Sequence, residues 1–177
     1  MRKISISACS GAEFLLWYSK SIVVLGVSTA MRISTKGRYG VRFMMDLVAH
    51  EGEGNVTLKK VAERQAISEK YLWQIVNPLR KEGLIRAVAG PGGGYALAQS
   101  AASITLRDIL AVLEGSDMPA ACVGDPSGCP RGNECAAREM WCEVGARIGE
   151  VLNSITLRDL ADRQRALTGS PPWDYAI

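Results

Sequence analysis

Four of the five cysteines in this chain of 177 residues crowd together as Cys122, Cys129, Cys135 and Cys142, separated by six, five and six residues. A thiolate is both a soft metal ligand and a nucleophile. Such a group can hold a metal, carry an iron–sulfur cluster or register oxidants. Structural zinc sites carry tight two-residue knuckles, and none is present. Widely spaced thiols on a loop that runs into a helix suit an iron–sulfur cluster, with redox-sensing thiols and a loosely held zinc as alternatives. A disulfide framework is not expected of a chain that otherwise reads as cytoplasmic.

A second set of residues offers different chemistry. Lys70, Gln74, Asn77 and Lys81 recur at helical spacing, opposite an apolar stripe of Leu72, Ile75, Val76 and Leu79. Ammonium groups and amides on one exposed stripe can hold phosphates and read base edges. Charge is distributed to match. Residues 31–98 carry eleven basic and six acidic side chains, a net +5, whereas residues 99–177 carry seven and eleven, a net −4. A basic half beside an acidic half fits one face turned to a polyanion. An enzyme is not expected: His50 is the single histidine, set on an apolar helical pattern, and no paired acid/base motif occurs.

These residues need elements to position them. A helix is expected from Ser34, with Val41, Met44, Met45 and Val48 on one face and Gly52 and Gly54 beyond its end. Thr57 caps a short second helix over Leu58 to Arg64, Ala66-Ile67 make a turn, and Ser68 caps a third helix with Glu69 in its first turn. Pro78 costs that helix a hydrogen bond and should kink it near its end. A strand over Ile85 to Ala89, the turn Gly90-Pro91-Gly92-Gly93-Gly94 and a returning strand form a β-hairpin. The glycines lack the Lys-Ser/Thr ending of a phosphate-binding P-loop. Helices in this order followed by a hairpin describe a winged helix-turn-helix, in which the third helix reads DNA.

The fold class expected is therefore mainly α with a small β-hairpin wing, joined to a long dimerisation helix. Ile104-Thr105-Leu106-Arg107-Asp108 and Ile155-Thr156-Leu157-Arg158-Asp159 are identical strings, each announcing a capped helix. Between them a Gly/Pro-rich loop, residues 115–133, precedes a helical pattern from Cys135 to Asn153. There Trp141, Val144, Ile148, Val151, Leu152 and Ile155 form a heptad-like seam, which implies a homodimer.

Four segments follow: a 1–30 extension, expected to be non-folding or to precede the true start at Met31; a 31–98 DNA-binding domain; a 99–165 cysteine loop and dimer helix; and a 166–177 tail. The extension has the charged-then-apolar order of a secretory signal, but Glu13 and Lys20 break its apolar run. No run of eighteen apolar residues exists, so no membrane partner is expected.

Met31 to Gly40, the third helix and Gly90-Pro91-Gly92-Gly93-Gly94-Tyr95 resemble the Rrf family of bacterial winged-helix transcription regulators, over residues 31 to about 165. The resemblance implies phosphate contacts by Thr35, Lys36 and Tyr39, and a recognition helix presenting Ser68, Lys70, Tyr71 and Gln74. It also implies a wing that contributes Arg86, Gly92, Gly93 and Tyr95. In one branch of the family three loop cysteines hold a [2Fe–2S] cluster, which implies Cys122, Cys129 and Cys135 as ligands here; a cysteine-metabolism branch lacks them.

Several positions depart from the cluster-bearing pattern. The first cysteine interval is one residue longer. Arg138 stands where a ligating His is found, and Arg38 where related sensors place an Asp from the partner's first helix. A guanidinium has no lone pair for iron. Cys142, two turns beyond Cys135, is the best fourth ligand by chemistry, with Glu139 weaker. Trp73 replaces an acidic residue and Ala89 a wing Arg, with Arg86 three residues away. The tail Trp173-Asp174-Tyr175-Ala176-Ile177 resembles a peptide that cysteine synthase accepts in the cysteine-metabolism branch. The reading from sequence is thus a DNA-binding regulator sensing through a [2Fe–2S] cluster, or else a cluster-free thiol or cysteine-metabolism regulator under a protein partner.

Overall fold

The computed structural model describes residues 33–115, 120–124, 129, 131 and 134–168, so the expectations for the 1–30 extension and the Trp173–Ile177 tail fall outside it. Ser34 opens the first helix, α1 (Thr35–Ala49), by accepting the Gly37 N–H at 3.1 Å. Thr57 does the same for α2 (Leu58–Gln65) through Lys60 N–H, and Ser68 for α3 (Glu69–Lys81) through Tyr71 N–H. Between α2 and α3 the chain turns on Ala66, whose φ of +52° is left-handed and costs a residue with a Cβ about 1–2 kcal/mol. Pro78 does not end α3, which continues to Lys81.

Leu72, Ile75, Val76 and Leu79 of α3 are fully buried in one core with Phe43, Met44, Leu47 and Val48 of α1. Each such side chain contributes about 1.5–3 kcal/mol on burial. A polar network ties α1 to α2 beside this core. The buried Asp46 carboxylate accepts from Arg64 Nε at 3.0 Å and from Gln65 Nε2 at 3.1 Å. Gln65 Oε1 in turn accepts from Arg42 Nε, also at 3.0 Å. The angle between the first two helices is thereby set by directional bonds as well as by packing.

The wing is a two-stranded antiparallel hairpin, β1 (Ile85–Val88) and β2 (Gly94–Leu97), in the register Ile85 to Leu97 and Val88 to Gly94. Val56, just before α2, pairs with Tyr95 through two backbone bonds of 2.9 and 2.8 Å, a one-residue third strand. That pairing was not visible in the sequence, where Val56 stands alone. At Gly94, φ is +151° and a Cβ would lie 2.6 Å from the Val56 carbonyl oxygen.

The two identical strings open α4 (Leu106–Glu114) and α7 (Leu157–Thr168). Thr105 and Asp108 form a reciprocal capping box, and Thr156 and Asp159 repeat it. The strings also pair with each other. Thr105 and Thr156 form an antiparallel bridge, with Leu106 N–H donating to the Ile155 carbonyl and Leu157 N–H to that of Ile104, both at 2.8 Å.

The short α5 (Ala121–Gly124) lies between α4 and the long α6 (Ala136–Asn153). Gly145 and Gly149 are the buried positions of α6, while Trp141 and Val151 are 38% and 60% exposed. Ile155, expected at the end of the apolar seam, lies past the helix, because α6 stops at Asn153 and the chain turns to form the bridge.

Close approach of α1 and α4 needs Gly40, where a Cβ would sit 2.0 Å from Leu113 Cδ1. Leu113 is itself buried, so Gly40→Ala is expected to cost about 1–3 kcal/mol in urea unfolding. The hydrogen bonds from Thr156, first its hydroxyl and then its N–H, hold Asp159 below its ordinary pKa of 3.8. A depressed folded pKa stabilises above the unfolded value and is lost as pH falls through the folded one. Thermal unfolding from pH 5 down to pH 2 should therefore show a steeper acid loss in wild type than in Asp159→Asn.

Candidate functional site

The buried stripe of α3 leaves its opposite face in solvent. Lys70, Gln74, Asn77 and Lys81 are all exposed, as the spacing predicts. Ser68 sits at the helix N-cap, exposed, with its hydroxyl engaged by Tyr71 N–H. Tyr71 is half-buried and meets Tyr39 of α1 edge-on, ring centroids 5.7 Å apart, while the Arg42 guanidinium stands 5.5 Å from the Tyr39 ring. The first turn of α1, with Thr35 exposed and Lys36 half-buried, is thus carried on the same packed unit as α3. Arg38 donates to the Thr35 hydroxyl at 3.1 Å.

On the wing, Arg86 is exposed and its Nε donates to the Leu97 carbonyl at 3.4 Å. Gly92 lies at the tip with φ +77°, and its carbonyl accepts from Asn55 Nδ2 at 3.1 Å. A Cβ on Gly93 would lie 2.5 Å from the Val88 carbonyl oxygen, so only glycine closes this turn. Tyr95 differs from the other wing residues. Its side chain is only 9% exposed and belongs to the core, with the Trp73 ring standing edge-on at 6.5 Å. It anchors the wing to α3 rather than facing outward. Asn55, which steadies the tip, was missed from sequence because nothing local marks its partner.

The thiols follow α4 along the chain. Cys122 is on α5, Cys135 is the N-cap residue of α6 and Cys142 is two turns along it; these and Cys129 are free and half-buried. Arg138 Nε donates to the Cys122 carbonyl at 2.8 Å, which ties α5 to α6. Among the described residues no three His, Cys, Asp or Glu side chains converge as a metal site. Glu139 in the first turn of α6 is exposed. Tested against a [2Fe–2S] cluster, the group fits in donor type alone: three reduced thiols that do not converge, with a fourth two turns further along α6. It does not fit at Arg138, whose guanidinium cannot ligate and is already bonded to backbone.

Residues 33–163 match a family model described as Rrf2, iron-dependent transcriptional regulator. The chain belongs to the Rrf2 family. It is 40% identical over 137 residues to the HTH-type transcriptional regulator IscR of Yersinia pestis, a match spanning 77% of this chain and 83% of that one. Among solved structures, T. potens IscR aligns with TM-score 0.66 at 38% identity, covering 84% of this chain and 99% of its own. CymR, described as the global cysteine regulator of B. subtilis, aligns with TM-score 0.64 at 42% identity, covering 75% and 98%. The Rrf2 chain described here is accordingly a transcriptional regulator and not an enzyme, and its helices and two-stranded hairpin are those of a winged-helix fold. Among its described residues no helix is long and apolar enough to cross a membrane. The Trp173–Ile177 segment lies outside those residues, and nothing within them points to cysteine synthase.

Proposed function

We propose that this Rrf2 regulator binds duplex DNA as a homodimer and that its thiol-bearing segment sets the affinity. The observation that carries the first part is the division of α3: four fully buried apolar residues on one side, four exposed lysine and amide side chains on the other. That division supports Lys70 and Gln74 as readers of base edges in a major groove, with Ser68 and Tyr71 beside them. Thr35, Lys36 and Tyr39 flank this face as phosphate contacts, and Arg86, Gly92 and Gly93 extend it along the wing.

Dimerisation is supported by α6. Met140, Trp141 and Val151 are 49%, 38% and 60% exposed on one helix, which is costly apolar surface for a helix without a partner. A second copy of the same helix covers it and places two reading heads on a palindromic site.

For the sensor, the proposed ligands of a [2Fe–2S] cluster are Cys122, Cys129 and Cys135, with Cys142 completing the set. The relatives' name and the three free thiols support this reading. The cluster would supply a redox-active, oxidant-labile centre at the base of α6. The Arg138 bond to Cys122 favours a second reading, a cluster-free thiol regulator, since it fills the place of the missing ligand with a donor.

Two experiments follow. Duplexes selected from a random pool by the wild type should bind less tightly as salt rises. Lys70→Ala with Gln74→Ala should cost about 2–5 kcal/mol of specific binding without changing the dimer in sedimentation; retained affinity would refute the α3 assignment. Protein purified without oxygen should be coloured and contain iron and sulfide, both diminished in Cys142→Ser. Colourless protein whose DNA affinity still responds to thiol alkylation would establish the second reading instead.

A further inference from the structure

We propose that Glu114 is a positioning residue that couples the thiol-bearing segment to the DNA-contacting turn of α1, an inference resting on the DNA-binding function proposed above. Glu114 is the last residue of α4. Its Oε1 accepts from the Ser34 N–H at 3.0 Å and from the Ser34 hydroxyl at 2.8 Å. The same hydroxyl accepts from Gly37 N–H at 3.1 Å, so a carboxylate from a distant helix extends the N-cap of α1 into a relay. The first turn of α1 holds no acidic residue and does hold Lys36. Glu114 therefore supplies the negative charge that a helix N-terminus favours and that its own sequence lacks.

Two glycines make room for this contact. A Cβ on Gly37 would lie 2.1 Å from Glu114 Oε1, just as one on Gly40 would meet Leu113. The last turn of α4 is thus pressed against the first two turns of α1.

The placement of Glu114 gives the contact its consequence. On one side Ser34 is followed directly by Thr35 and Lys36, and Tyr39 one turn later leans on Tyr71 of α3. On the other side Gly115 ends α4 in the left-handed conformation, φ +82°, and the chain leaves for α5 and Cys122. Cys122 is in turn held to α6 through Arg138. A change at the thiols that shifts the end of α4 withdraws the carboxylate from Ser34 and loosens the turn that carries the phosphate contacts. A change that keeps α4 in place preserves it. This is a population shift with a named contact at its centre.

The test uses the full chain in a Cys9→Ser background, with duplexes selected by the wild type and iodoacetamide as the thiol probe. Affinity is measured before and after alkylation, and the ratio is the readout. The wild-type ratio is expected to differ from one by at least about fivefold, the lower range of allosteric coupling. Glu114→Ala should bring it to within about twofold of one, whereas Glu114→Gln, which keeps an acceptor oxygen for Ser34, should retain it. Gly37→Ala, which displaces the carboxylate without altering it, should behave as Glu114→Ala and guards against a folding defect in that variant.

A residue that merely stabilised the fold would lower both affinities by the same factor and leave the ratio unchanged. Equal ratios in wild type and Glu114→Ala, or a wild-type ratio of one, would overturn the proposal. A wild type that selects no duplex would overturn the DNA-binding reading itself, a result distinct from either.

Discussion

The orientation of α3 depends on one constraint: four apolar side chains at i, i+3, i+4 and i+7 must leave water together. Leu72, Ile75, Val76 and Leu79 do so against Phe43 and Met44, at about 1.5–3 kcal/mol each. Once that stripe is buried, the direction of every other residue on the helix is fixed by its 3.6-residue period. Lys70, Gln74, Asn77 and Lys81 can then point only outward. Rotation of α3 by one residue, onto Trp73, Val76, Asn77 and Arg80, would bury an amide and a guanidinium and expose Ile75, so the polar face is as well determined as the core.

What surrounds α3 refines that placement. The Asp46 network fixes the angle of α2 with bonds that break if either helix slides, since an isolated buried carboxylate is far costlier than a paired one. Val56 and Tyr95 bond the wing to the segment ahead of α2, and the buried Tyr95 ring meets Trp73. Helix, turn, helix and wing are therefore joined by packed and hydrogen-bonded contacts that run from α1 to the face of α3.

Local signals in the sequence carried most of this. Ser34, Thr57, Ser68 and Thr105 each cap the helix that their side chains announce, because a cap is a contact between residues three apart. Glycines at 90–94 marked the hairpin for the same reason. Contacts between distant residues left no such trace. The Asp46–Arg64 pair, the Val56–Tyr95 bridge and the Glu114–Ser34 contact join residues eighteen to eighty positions apart, and periodicity is blind to them. The family resemblance implies Tyr95 as a contact residue of the wing, yet β2 turns its ring to the core. The thiols were legible as chemistry, but Arg138 acquires its meaning only with the Cys122 carbonyl beside it.

The bridge between the two identical strings has a mechanical side. Backbone bonds at Ile155 and Leu157 clamp the C-terminal end of α6 to the start of α4, whereas Cys135 closes its other end with no side-chain bond. At 1.5 Å per residue the helix is a rod of about 27 Å, pinned at one end and carrying sulfur at the other. A tilt of roughly ten degrees about the pin sweeps the sulfur end through about 5 Å, given that length. A shift of several ångströms at the sulfur end therefore reaches the pin, and the start of α4, only as a rotation of a few degrees.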